Sequence, residues 1–227
     1  MRLILASASP RRAELLRAAG FEFDVVVTDV DESIRAGESP QIYVRRLAAD
    51  KSAAALAALK GCATGAAVAT GAVEAREETA VAQAFRPADV IILGADTAVV
   101  VDDDILGKPR DDEDAAAMLR RLSGRRHDVM TGISLRSGAY EVGRVEITSV
   151  EFARLTEDDI EWYVRSGEGR DKAGAYAIQG LASRFIPRIE GSYSNVVGLP
   201  VACVAELLRE ISSTRRARSS PNRSAAD

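Results

Sequence analysis

A single histidine, His127, serves the whole chain of 227 residues. That scarcity leaves little room for histidine-based triads or multi-histidine zinc sites. The two cysteines, Cys62 and Cys203, lie far apart and show neither metal nor redox spacing, which fits a reducing cytoplasm. No apolar run approaches the roughly 20 residues that a membrane helix needs. The opening "MRLILAS" carries one arginine and a short aliphatic run, too little for a secretory signal, and reads as a first strand. Excess positive charge is also missing. With 30 Lys and Arg against 34 Asp and Glu, the net charge of −4 argues against a general nucleic-acid binder. A local basic pocket for a small anion stays open. Enzymatic chemistry, if present, has to come from carboxylates, Lys or Arg, and a hard metal ion.

What is present is an ordinary globular balance, 47% hydrophobic and 28% charged, with no internal repeat. Residues 2–6 and 21–27 read as strands. Between them, Ser9 suits an N-cap, Pro10 the first helical position and Gly20 a stop. A second Ser-Pro opens an Ala-rich helix over 38–61. The low-complexity stretch 61–88 reads as an inserted mobile loop. Residues 89–109 have the pattern of a buried hairpin turning at Asp102–Asp104, and 127–155 that of a long antiparallel hairpin around Ser137-Gly138. Helices are expected over 111–124, 156–167 and from Pro200 onward, and the Arg- and Ser-rich residues 212–227 as a disordered tail. Crossovers mixed with hairpins imply an α/β fold with a mixed, largely antiparallel twisted sheet and flanking helices, in one domain over residues 1–211.

Several stretches could carry chemistry. In "SASPRRAELL" a strand, a small-residue loop and a helix start bring together backbone N–H groups, the hydroxyls of Ser7 and Ser9, and the forked donors of Arg11 and Arg12. Cations at a helix N-terminus are mildly unfavourable unless an anion is expected, although on the motif alone a capped surface helix with two solvated arginines is the favoured reading. Asp96 stands amid Ile91, Ile92, Leu93, Val99 and Val100, where an ionised carboxylate loses solvation. A functional carboxylate at the end or edge of a buried strand explains it better than a structural one. Thr97 points to the opposite face of a regular strand, so only a bulge or strand end lets both face one pocket. Lys108 lies between Gly107 and Pro109, and Lys51 shares a helix face with Leu47 and Tyr43, where snorkelling is the plain alternative. Gln179 offers a donor and an acceptor together, matching the alternating edge of uracil or thymine, and a structural glutamine in a tight turn fits the stretch equally. Asp29, Asp31, Glu32 and Asp102–Asp104 are candidate hard-metal ligands, with Glu32 ranked above the turn.

In order along the chain, "SASPRRAELL", "DES", "YVRRLAADKSAAA", "GADTAVVVDDDILGKP", "AAAMLRRLSGRRHDVMTG", "DKAGAYAIQG" and "IEGSYSNVVGLP" resemble the Maf family of nucleotide pyrophosphatases. The resemblance spans residues 2–210 apart from the 61–88 insert. It implies a Maf/ITPase-like fold with a central nucleotide cleft. It also implies a cytoplasmic homodimer that hydrolyses nucleoside triphosphates to a monophosphate and pyrophosphate with a divalent metal, Mg²⁺ or Mn²⁺, and that engages neither membrane nor nucleic acid. Asp96 becomes the general base, assisted by Lys51 and Lys108. Ser7, Ser9, Arg11, Arg12, Thr97 and Gln179 become substrate contacts, and Glu32 the metal ligand. The "AYAIQG" and "GSYSNVVGLP" versions look like the branch acting on dTTP and UTP. The same reaction on another base such as 7-methyl-GTP, and a nucleotide-sensing role in septum formation, are the alternatives.

Overall fold

A computed structural model describes residues 2–63 and 90–219. The chain runs β1 (Arg2–Ala6), α1 (Pro10–Ala18), β2 (Phe23–Val25), α2 (Pro40–Ala63), β3 (Val90–Val101), β4 (Asp104–Leu106), α3 (Asp112–Leu122), β5 (Arg126–Ser137) and β6 (Tyr140–Glu151). It continues through α4 (Glu157–Ser166), β7 (Arg188–Glu190), α5 (Tyr193–Val197) and α6 (Val201–Ser219), with 3₁₀ turns at Ala173–Ala175 and Leu181–Phe185. One seven-stranded sheet has the order β2-β1-β3-β5-β6-β7, with β4 alongside β3. β1 pairs in parallel with β2 and β3, and every other pairing is antiparallel. The expected mixed, largely antiparallel sheet is what forms.

The two faces of β3 divide the core. Ile92 packs with Ala55 and Leu56, and Ala98 and Val100 with Val44, so its even positions meet α2. Leu93 and Ala95 pack against Leu16 and Leu207, and Val99 and Val101 against Leu119 and Leu122, so its odd positions meet α1, α6 and α3. The approach of α2 depends on two glycines. A Cβ on Gly94 would stand 2.1 Å from the Ala48 carbonyl oxygen, and one on Gly132 2.1 Å from that of Val44. The helix backbone therefore rests directly on β3 and β5.

Some expected boundaries move. The second strand contracts to three residues, and Leu181–Phe185 forms a 3₁₀ turn where "SRFIPRI" suggests strand. A short helix, α5, occupies part of the expected turn, capped by the Ser192 hydroxyl, which accepts from the Asn195 N–H. Helix α6 continues to Ser219, so residues 212–219 are helical rather than a disordered tail, while 220–227 lie outside the described residues. Residues 61–63 of the expected insert complete α2, and the remainder falls outside the described residues. Among the described residues no helix is long and apolar enough to cross a membrane.

Candidate active site

The site originates in an interruption of the sheet. β1 pairs with β3 only as far as Ala6 opposite Gly94, and β4 takes up pairing at Val99. On that side, residues 95–98 of β3 have no neighbouring strand among the described residues. On the other side the register with β5 runs without a break from Ile92 to Val100. Asp96 is thus in mid-strand but on an unpaired edge, the second of the two placements the sequence suggests, and there is no bulge. The gap at its flank is what opens it to solvent. An interruption of this kind, beyond the carboxyl end of a strand, is where ligands bind in open α/β sheets.

A cavity of about 530 Å³ occupies the gap. It is lined by all ten residues expected from the sequence: Ser7, Ser9, Arg11, Arg12, Glu32, Lys51, Asp96, Thr97, Lys108 and Gln179. Five cations (Arg11, Arg12, Lys51, Lys108, Lys172) face three carboxylates (Glu32, Asp96, Asp171), so the cavity is locally basic in an acidic chain. Apolar lining comes from Val99, Val129, Tyr176, Ile178 and Val197.

At its centre Lys51 is buried, and its Nζ donates to Asp96 Oδ1 at 2.6 Å and lies 2.7 Å from Glu32 Oε1. The helix stripe explains the placement. Tyr43 and Leu47 precede Lys51 at four-residue spacing, Leu47 is fully buried, and the Tyr43 hydroxyl donates to the Glu32 carbonyl at 3.0 Å. Lys51 is therefore a buried bridge between two carboxylates and does not snorkel. Burial pushes the Glu32 carboxyl up, but the Lys51 bond and charge, with Lys108 and Arg12, outweigh it and leave the group below its ordinary range. Burial, with Asp96 and Glu32 nearby, pushes the Tyr43 hydroxyl up to about 12.

The two arginines have different situations. Arg12 is buried and commits four of its five N–H donors to protein: Nε to the Gly198 carbonyl at 2.8 Å, Nη1 to Ser7 Oγ at 3.1 Å and the Ala95 carbonyl at 2.9 Å, and Nη2 to Thr97 Oγ1 at 3.0 Å. Burial lowers its pKa, partly opposed by the charge of Asp96. It satisfies the Ala95 carbonyl at the interrupted edge and joins β1, β3 and the turn before α6. Arg11 has a buried Nε with no partner among the described residues, and so does the hydroxyl of Thr28. Both line the cavity, and orphaned donors of that kind call for a ligand. Ser9 occupies the N-cap of α1, but its side chain makes no capping bond, and its N–H instead donates to Ser7 Oγ at 3.2 Å.

Lys108 is exposed and has no hydrogen bond or ion pair among the described residues, and Gln179 sits exposed at the rim. The acidic turn is separate from the cavity. Asp102 and Asp103 adopt φ of 53° and 62°, Asp102 pairs with Arg125 at 2.5 Å, and Asp104 with Arg121 at 2.6 Å. Sequence reasoning missed Thr28, Lys172 and Tyr176 as lining residues. It also missed buried Asn195, whose Nδ2 reaches the Val129 carbonyl and Thr148 Oγ1, both at 3.0 Å. Asparagine in a Ser-rich turn carries no signal that distinguishes such a brace from a solvated residue.

The family described as Maf-like protein matches residues 2–211. The chain belongs to the Maf family. Curated relatives include proteins named dTTP/UTP pyrophosphatase from Anaeromyxobacter dehalogenans (46% identical), Hahella chejuensis (44%) and Vibrio cholerae (44%). Each alignment covers 92% of this chain, and 93%, 92% and 97% of the respective relative. A solved structure, that of the Staphylococcus aureus Ham1 protein, aligns over 95% of this chain and 100% of its own, with a TM-score of 0.43 and 13% identity.

Proposed function

We propose that this Maf-family chain hydrolyses dTTP and UTP to the monophosphate and pyrophosphate, with Asp96 as general base. The observation that carries the reading is the Glu32–Lys51–Asp96 bridge in a cation-rich cavity. The near-full-length relatives supply the reaction class and the pyrimidine preference.

A nucleoside triphosphate brings several negative charges, and cleavage between the α- and β-phosphates moves one more onto the leaving pyrophosphate. Lys51 holds Asp96 Oδ1, and Oδ2 carries no hydrogen bond among the described residues, so it is available to a water. Asp96 takes a proton from that water as its oxygen bonds the α-phosphorus. The bond from the α-phosphorus to the bridging oxygen then breaks, and its electron pair leaves with pyrophosphate. Arg11 and Lys108, which have no carboxylate partner among the described residues, meet the developing charge. Arg12, itself part of the cavity wall, holds Ser7 and Thr97 in place. Gln179 and Thr97 read the base edge, and the apolar lining receives its ring.

Glu32 fits Mg²⁺ or Mn²⁺ only with help from substrate. Among the described residues no cluster of three His, Cys, Asp or Glu side chains can hold a metal alone, whereas Mg²⁺ sites commonly combine one or two carboxylates with substrate phosphates. When bound there, such an ion would supply charge neutralisation at the phosphates. A cytoplasmic location and a homodimer belong to the same reading.

The deciding experiment incubates the protein with dTTP, UTP, CTP, GTP and 7-methyl-GTP in Mg²⁺ and identifies the products. Monophosphate and pyrophosphate, formed fastest from dTTP and UTP, are expected. Release of orthophosphate overturns the reaction class, and a preference for 7-methyl-GTP overturns the substrate.

A further inference from the structure

The segment that carries Gln179 is held from beneath by two residues that do not line the cavity. Helix α4 stops at Gly167, whose φ of 71° turns the chain back, and the next residue, Glu168, points under residues 177–182. Its Oε1 accepts from the Leu181 N–H at 2.9 Å, and its Oε2 from the Ala182 N–H at 3.4 Å and the Tyr163 hydroxyl at 2.8 Å. The same Tyr163 oxygen accepts from the Ala177 N–H at 3.1 Å. Gln179 therefore lies between two anchored positions, Ala177 on Tyr163 and Leu181 on Glu168. The fit is close. A Cβ on Gly180 would lie 1.9 Å from Glu168 Oε1, so only glycine lets the carboxylate reach the backbone there. Tyr163 is buried, and burial followed by the Glu168 bond pushes its hydroxyl up, which keeps it a donor.

We propose that Glu168 and Tyr163 are positioning residues for base selection: they fix the 177–182 backbone so that the Gln179 amide presents one register of donor and acceptor to the pyrimidine edge. The proposal rests on Gln179 reading the base. A carboxylate is needed because three donors converge on it. The isosteric amide of Glu168→Gln turns an NH₂ group toward one of them and leaves the segment without a single preferred position. The phosphate end is built from β1, α1, α2, β3 and Lys108 after β4, and among the described residues none of its side chains is hydrogen-bonded to Glu168 or Tyr163.

The experiment compares Glu168→Gln, Tyr163→Phe, Gln179→Ala and the double variant Glu168→Gln/Gln179→Ala in the full chain, measuring kcat and KM for dTTP and GTP with the thermal midpoint of each. Glu168→Gln is expected to raise KM for dTTP about tenfold with kcat retained, and so to lower the dTTP-over-GTP ratio of kcat/KM by the same factor. Tyr163→Phe acts in the same direction, about threefold. On the Gln179→Ala background Glu168→Gln has no further effect on that ratio, because a positioning residue has nothing left to position. Loss of kcat for both nucleotides in equal measure, or full additivity with Gln179→Ala, overturns the proposal by making Glu168 a general structural residue. If Glu168→Gln does not fold, an unchanged ratio in Tyr163→Phe overturns it independently. An unchanged ratio in Gln179→Ala sinks the base-reading role of Gln179 itself, whereas an altered ratio there with none in Glu168→Gln sinks the positioning role alone.

Discussion

Asp96 has one oxygen committed to Lys51 and the other open to the cavity. A positioned base contributes about 10²–10⁴ in rate. Asp96→Asn keeps the size of the side chain and an oxygen that can accept from Lys51, but cannot take a proton. Steady-state assays should show kcat falling by about that factor while KM for dTTP stays close to the parent value, and turnover above half of the parent would remove Asp96 from the base role. Arg11 and Arg12 are adjacent in sequence and indistinguishable by pattern, yet their partners differ. Arg11→Ala should weaken dTTP binding with little change in stability, because its Nε has no partner to lose. Arg12→Ala removes the donor to the Ala95 carbonyl and leaves the Gly198 carbonyl only its bond from Thr97 Oγ1. Denaturant unfolding should register a loss of about 1–3 kcal/mol. Equal behaviour of the two variants in both measurements would contradict this division.

Among the elements, α2 governs the chemistry through its distance from the sheet. Gly94→Ala places a methyl group 2.1 Å from the Ala48 carbonyl oxygen and 2.8 Å from the Ser52 nitrogen, so the helix must lift off β3. Overpacking of this kind costs about 1–3 kcal/mol, and urea titration should find it. Because Lys51 follows Ala48 by one turn while Asp96 stays on β3, kcat should fall together with stability. A destabilised variant with parental kcat would mean that helix height does not set the Lys51–Asp96 contact. The elements themselves were legible. Pro10 and Pro40 mark helix starts, and a two-residue acidic turn marks the β3–β4 hairpin. Lys51 was legible as well, through its stripe with Tyr43 and Leu47. What was hidden was where β1 stops against β3. That register joins segments more than eighty residues apart, and no local pattern states that pairing lapses after Gly94. The mid-strand position of Asp96, and the protein-bound state of Arg12, follow from that one non-local fact. Tail residues 212–219 were misjudged for a simpler reason, since Ser and Arg composition conceals a helix that Leu207 and Ile211 anchor from its buried face.

For the whole molecule, the lone histidine makes a pH signature readable. His127 is buried beside Phe152 and Tyr176, its Nε2 2.8 Å from the Tyr176 hydroxyl, and burial lowers its pKa from 6.5 to about 4, with Asp128 opposing. Above pH 6.5 it is neutral whether folded or unfolded. Below that, the unfolded chain takes a proton that the folded chain refuses until about pH 4, so stability falls with falling pH across this window. The slope from this one group approaches about 1.4 kcal/mol per pH unit. Chemical denaturation of the parent against His127→Gln between pH 4 and 6.5 should show the extra slope only in the parent, and parallel curves would refute it. The interruption in the sheet has a different kind of consequence. Neighbouring residues of one strand, Asp96 and Thr97, serve opposite sides of the cavity, the first with Lys51 and the second with Arg12 and Gly198. On the proposed reading, hydrolysis and nucleobase choice therefore fall to side chains that share a strand but no hydrogen-bond partner. On the same reading, a substitution on the Thr97 and Gln179 side changes which base is accepted and leaves the Lys51–Asp96 contact one residue away in place.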